Sequence, residues 1–200
     1  MPYRWHHIAK HGDSFEGVKE TTPIMVYSNS MVTNIRIASE KDFDDIFRIW
    51  QDGQKYAINP DPLRDELFIR DELKGQLKQK DAHFFVAVST DGQIIGWQSL
   101  IPLIHNPLMS NKVVESSTYI SDKYLNMNVG YDLLKFACGF ARYIEAEFIF
   151  SWTLSTNKPL IRLAQKLNWQ LVGELPIPNK NPHAASMLYY VYNVPHSEKY

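Results

Sequence analysis

The spacing of apolar residues changes period repeatedly along this chain, and the order of those changes leaves few folds open. Residues 35–38 alternate, as a short strand does. Ser39 then stands as a helix cap, with Asp42 three residues on in the place of a capping-box acid. Phe43, Ile46, Phe47 and Trp50 fall at i, i+3, i+4 and i+7, so one face of that helix is core. A loop with Pro60 and Pro62 leads to a second amphipathic helix over about residues 64–78, with Leu67, Leu73 and Leu77 apolar. Residues 84–88 and 94–100 flank Asp91-Gly92 and read as a hairpin, because this pair tolerates the positive φ of a tight turn.

A proline-punctuated loop, residues 102–107, precedes a strand over residues 115–121. The next helix starts near Gly130 and carries Leu133, Leu134, Ala137, Phe140, Ala141 and Ile144 on one side. A strand over residues 148–153 is followed by a short helix from Pro159, a residue suited to the first turn. That helix is expected to bury Leu160, Leu163, Ala164 and Leu167. Strands over residues 170–174 and 187–193 close the pattern. The order is one strand, two helices, three strands, then αβαββ: a mixed α/β or α+β domain without internal repeats.

The periodic part spans residues 34–194, and 195–200 form a tail. Residues 1–33 lack periodicity and read either as an arm packed on the domain or as a loose extension, with Met31 an alternative translation start. Two hundred residues, 44% hydrophobic and 22% charged, suit one domain with a core of its own. The single cysteine, Cys138, allows no internal disulfide and fits a reducing compartment. It reads as a small core residue. A net charge of −1 argues against nucleic acid as a partner. The N-terminal residues lack the pattern of a signal peptide, and no apolar run is long enough to span a bilayer, so a cytoplasmic protein is expected.

The familiar catalytic strings are absent: there is no Walker loop, G-x-G-x-x-G, C-x-x-C, H-E-x-x-H or G-x-S-x-G. The seven histidines show no metal-ligand spacing, and no metal is expected. One junction stands apart. From Tyr119 to Leu134 a strand passes through a short loop into an amphipathic helix, a turn that aims backbone N–H groups and the positive helix end at one point. Asn126, Asn128 and Gly130 there tolerate left-handed backbone. The junction therefore suits a pyrophosphate, although any strand-to-helix turn uses such residues.

This junction resembles the acyl-CoA loop of the GCN5-related N-acetyltransferases (GNAT), whose pattern is R/Q-x-x-G-x-G/A between the fourth strand and third helix. Val114-Glu115-Ser116-Ser117-Thr118-Tyr119-Ile120-Ser121 resembles the corresponding strand of the phosphinothricin N-acetyltransferase branch, roughly A-E-S-x-x-Y-V-x-P. Thr156-Asn157-Lys158-Pro159-Leu160, running on to Lys166-Leu167-Asn168-Trp169, is similar to the family's N-x-P-S/A-x-x-L-Y-x-K-L-G-F segment. The resemblance extends over residues 34–194. It implies a mostly antiparallel mixed sheet of six to seven strands flanked by about four helices.

The same resemblance implies acetyl-CoA as cosubstrate and transfer of its acetyl group to a small amine, an amino acid or a relative of one. It places the pyrophosphate on Leu125, Asn126, Met127, Asn128, Val129 and Gly130. It places pantetheine along the strand backbone at Tyr119 and Ile120, with Asn157 facing it. Glu115 stands where the branch has its glutamate and is the candidate general base, and Tyr119 is a candidate hydroxyl donor. The acceptor is expected among residues 56–63, 103–112 and 176–185, which hold Tyr56, His105 and His183. A homodimer is a family habit.

This chain also departs from the pattern. Leu125 replaces the Arg or Gln, Asn128 replaces a glycine, and Ala164 replaces the tyrosine that protonates the leaving thiolate in many relatives. Asn168 replaces a helix-terminating glycine and is expected to make the same left-handed cap. These departures support an alternative, a degenerate non-catalytic member that binds a ligand or protein.

Overall fold

The computed structural model describes residues 32–53, 66–103, 112–176 and 186–195. In those residues the expected elements form in the expected order. They are β1 (Val32–Ile37), α1 (Phe43–Gly53), α2 (Glu66–Leu77), β2 (His83–Ser89), β3 (Ile94–Pro102) and β4 (Val113–Ile120), then α3 (Val129–Tyr143), β5 (Phe148–Leu154), α4 (Lys158–Lys166), β6 (Gln170–Pro176) and β7 (Ser186–Asn193). The first strand starts ahead of the boundary read at Asn34, because Val32 is itself fully buried and pairs with Ser89.

Residues 39–42 show how the chain enters α1. Ser39 is extended and caps a 3-10 turn, Glu40–Asp42, that runs directly into the helix. The Asp42 carboxylate accepts from the Ser39 N–H at 2.7 Å and from both arms of the Arg36 guanidinium, each at 2.7 Å. Burial by itself would raise the Asp42 carboxyl, but Arg36 and Ser39 outweigh it and hold the group below its ordinary value. A carboxyl lowered in the folded state adds stability above its unfolded value, near 3.8, and loses it as the pH falls through the folded one. Asp42→Asn is therefore expected to cost about 1–2 kcal/mol at pH 7, the lower part of the charged-bond range because Arg36 is partly solvated. Urea melts should show the gap between the two proteins closing as the pH drops below 3.8.

The seven strands form one sheet in the order β1-β2-β3-β4-β5-β7-β6. Every pairing is antiparallel except β4 with β5. The turn between β2 and β3 contains Gly92 at φ 80°, the positive value expected of the Asp-Gly pair. Two cores lie on opposite faces. One packs α3 on the sheet through Leu133, Ala137, Ile95 and Ile149. The other packs α1 and α2 through Phe47, Leu73, Phe84 and Trp97, whose indole N–H donates to the Ile46 carbonyl at 3.0 Å.

Three details differ from the periodicity reading. Leu67 is exposed, because it lies about 240° around the helix from Leu73. Ile49 is fully buried although it fell outside the i, i+3, i+4, i+7 set. In α4 only Ala164 is buried, while Leu160, Leu163 and Leu167 are half-buried at the edge of the core.

The register of β4 and β5 shapes everything that follows. Val113, Val114 and Glu115 pair in parallel with Phe148, Ile149 and Phe150, and the pairing stops there. β5 continues along β7 as far as Leu154, while β4 continues along β3 as far as Ile120. The two strands therefore splay, leaving a wedge between Ser116–Ile120 on one side and Ser151–Leu154 on the other.

Candidate active site

A strand that loses its neighbour keeps a row of backbone groups with no ladder partner. The Ser116 carbonyl turns toward β5 and accepts from the Ser151 hydroxyl at 3.1 Å, a side chain closing the first gap beyond the last pair. Because such groups alternate along a strand, Thr118 and Ile120 also turn their backbone to the wedge. Tyr119 turns its carbonyl to β3, 3.1 Å from the point where a Gly96 side chain would begin. Of the two residues expected to offer backbone to pantetheine, Ile120 thus faces the wedge and Tyr119 does not, whereas Thr118 does.

The wedge has a polar floor that the sequence reading missed. Gln98, fully buried, donates to the Ser116 hydroxyl at 2.6 Å and to the Ser99 carbonyl at 3.0 Å. Thr118 donates in turn to the Gln98 carbonyl oxygen. A satisfied buried network of this kind fixes rotamers, here those of the β4 side chains beside the wedge. The crevice it borders is walled by Leu134, Leu160, Ala164, Trp169 and Tyr190. Ala164 therefore stands at the wedge and offers no hydroxyl there.

The loop at the wide end follows the sequence expectation in part. Asn126 and Asn128 are both left-handed, at φ 66° and 62°, and turn the chain from a 3-10 turn (Asp122–Tyr124) into α3. Gly130 is not left-handed. Its missing side chain leaves space instead, since a built Cβ would meet Leu163 at 3.7 Å and Ile120 at 3.9 Å. The first helical bond of α3 is Asp132 N–H to the Asn128 carbonyl, 3.0 Å, so the N–H groups of Val129, Gly130 and Tyr131 have no intrahelical acceptor. The side chains divide: Val129 is buried, whereas Leu125 and Met127 are exposed.

Cationic groups stand close by. Lys166 of α4 places its ammonium 4.0 Å from the centre of the Tyr131 ring, and Lys135 lies 5.7 Å from the same ring. The Asp132 carboxyl in this turn is raised by burial, against the pull of Lys135 and Lys166. The turn combines three unpaired N–H groups, the positive end of a fifteen-residue helix and two ammonium groups. Such a turn has the groups that an anion would need.

On the opposite face, toward α1 and α2, Glu115 is half-buried and accepts from the indole N–H of Trp152 at 3.2 Å. Trp152 reaches back from the splayed part of β5 to the last paired residue of β4. Tyr119 shares this face, about 13 Å along the strand from Glu115. Its ring stacks on Trp97 with centroids 4.6 Å apart and lies against Gly53, where a Cβ would come within 2.8 Å of it. Burial and the negative charge of Glu115 raise its phenol, although a hydrogen bond with Trp50 opposes them, so it remains protonated at neutral pH.

Asn157, expected beside pantetheine, is exposed and caps α4, its side-chain oxygen accepting from the Leu160 N–H at 3.3 Å. Asn168 adopts the expected left-handed cap, at φ 60°. Cys138 is buried, and burial pushes its thiol up to about 12, which keeps it out of nucleophilic chemistry. Tyr56, His105 and His183 lie outside the described residues. No helix among the described residues is long and apolar enough to cross a membrane.

Comparison with known proteins bears on this arrangement. The model of the acetyltransferase (GNAT) family matches residues 43–169, which include α1, the wedge, the loop and α4. No curated protein matches the chain in sequence. Solved structures match it closely in fold. A phosphinothricin acetyltransferase from Sinorhizobium meliloti, in complex with acetyl-CoA, superposes with a TM-score of 0.70 at 17% identity, covering 85% of this chain and 92% of that one. The yncA protein of Salmonella typhimurium, solved with its cofactor acetyl-CoA, gives 0.69 at 17% identity, covering 83% and 96%. A ribosomal-protein-alanine N-acetyltransferase from Brucella melitensis gives 0.67 at 20% identity, covering 80% and 98%. At such identities these structures speak for the fold, and the family match speaks for the class: the chain belongs to the GNAT family of acetyltransferases.

Proposed function

We propose that this chain transfers the acetyl group of acetyl-CoA to the amine of a small molecule. The observation that carries the reading is the wedge between β4 and β5, open at its wide end onto the N–H groups of Val129, Gly130 and Tyr131. A thioester arm laid along β4 would meet the backbone of Thr118 and Ile120, while a pyrophosphate would lie on the cradle at the start of α3. Backbone N–H groups carry no side chain to lose, so the replacement of Arg or Gln by Leu125 leaves most of this anion site intact. Lys166 and Lys135 add charge that the resemblance did not call for. Lys166→Ala is accordingly expected to weaken acetyl-CoA about 2–5-fold at low salt and less at high salt, as titration at two ionic strengths would show.

Glu115 takes a proton from the acceptor's ammonium. The neutral nitrogen forms its bond to the thioester carbon, the carbon–sulfur bond breaks, the nitrogen gives up its second proton to solvent, and solvent protonates the departing thiolate. Tyr119, held protonated beside Trp97, stands on the acceptor side of the sheet. The acceptor we favour is an amino acid or an amine of similar size, in keeping with the phosphinothricin-like segment Glu115–Tyr119, and the reaction needs no metal.

The test is transfer itself. Purified protein with acetyl-CoA and a panel of small amines should release free thiol and yield an acceptor heavier by one acetyl group. A second reading, a member that binds but does not catalyse, is favoured by Leu125 and Ala164. Saturable acetyl-CoA binding without thiol release, for any amine or peptide, would establish it in place of the first.

A further inference from the structure

Beside Glu115 the sheet presents aromatic side chains. Phe150 stands directly across from Glu115 in the parallel register. Two residues further on, Trp152 is 42% exposed although its N–H is tied to the Glu115 carboxylate. Tyr189 of β7 pairs with Trp152 and packs on Phe150 with ring centroids 5.7 Å apart. The core under α1 and α2 takes no residue from β5, β6 or β7, so among the described residues this half of the face has no helix packed into it. A large aromatic side chain left half in water beside a carboxylate calls for an explanation, since burying it would be favourable.

The geometry points to Trp152 as the residue that selects the acceptor: its ring binds the substrate's ammonium together with Glu115, and Phe150 and Tyr189 receive an apolar, ring-bearing substituent next to the nitrogen. The preferred acceptor class is then a primary amine flanked by an aromatic or branched carbon skeleton. The inference rests on the acetyl-transfer reading and deepens it. A carboxylate and an aromatic face both attract a cation, and an ammonium within about 6 Å of a ring centre gains from the ring quadrupole. The same indole gives Glu115 a donor, which holds one carboxylate oxygen and leaves the other for the proton. Trp152 thus has two separable parts, a ring that binds and an N–H that positions.

The experiment separates them. Steady-state kinetics with 2-phenylethylamine as acceptor would be measured for the wild-type protein, Trp152→Phe and Trp152→Leu, with a thermal melt of each to show that the fold survives. Trp152→Leu, which loses the ring, should raise the acceptor KM roughly 5–30-fold. Trp152→Phe keeps a ring and should hold KM within about 3-fold, while its kcat falls because Glu115 is released. In the wild type, 2-phenylethylamine should be preferred to ethanolamine by kcat/KM. A wild-type protein active on amines whose KM is unmoved by Trp152→Leu overturns this assignment and leaves the acetyl-transfer reading standing. A wild-type protein that releases no thiol with any amine overturns both.

Discussion

Gly130→Glu is expected to raise the dissociation constant of acetyl-CoA by about 100-fold or more while leaving the fold in place. The position decides both halves of that statement. Gly130 lies in the first turn of α3, between two other N–H groups that lack intrahelical acceptors, so a carboxylate there meets any bound phosphate at short range. Losing a favourable helix-end interaction costs about 0.3–2 kcal/mol. Two like charges about 4 Å apart add roughly 1–4 kcal/mol between the limits of water and a protein surface. A sum near 3 kcal/mol corresponds to about 100-fold in affinity.

The fold should tolerate the change. A Cβ at this position makes ordinary contacts, 3.7 Å to Leu163 and 3.9 Å to Ile120, and the backbone is not left-handed. Gly130→Ala is the control. It should leave the melting temperature unchanged or raise it, since alanine is favoured over glycine in a helix by about 1 kcal/mol. Calorimetric titration of the three proteins reads the outcome. Retained affinity in Gly130→Glu would move the cofactor away from this loop and, with it, remove the anion cradle from the argument.

The sequence and the structure agree where the signal is local. The Ser39–Asp42 cap, the left-handed Asn126, Asn128 and Asn168, and the Asp91-Gly92 hairpin each depend on a few adjacent residues, and each appears where the residues required it. The wedge was not legible. It arises because β5 stops following β4 after Phe150 and follows β7 instead, a choice between partners far apart in sequence. For the same reason Gln98, lying in an apolar strand, gave no sign that it would meet Ser116 and Thr118. Trp152 was an aromatic residue in a strand until the register set it beside Glu115. Tyr119 shows the opposite case. Its place in the motif suggested a backbone contact with the cofactor, whereas strand alternation turns that backbone to β3.

Glu115→Gln is the substitution that reaches the chemistry with least disturbance. The glutamine oxygen can still accept from the Trp152 indole, so the tie between β4 and β5 survives, and the side chain is only half-buried. What disappears is the capacity to take a proton. If Glu115 is the base, kcat should fall by about 10²–10⁴-fold, the usual contribution of general-base catalysis, with acetyl-CoA affinity within about 2-fold of wild type. The residual activity should climb as the pH rises toward the acceptor's own pKa, because the amine then arrives already neutral and the lost base matters less. A merely structural role predicts another pattern: equal losses at every pH, accompanied by a lower melting temperature. Full turnover in Glu115→Gln would take the carboxylate out of the mechanism. Deprotonation would then fall to water or to another side chain, and the Trp152 bond would be a strand clamp rather than part of a catalytic site.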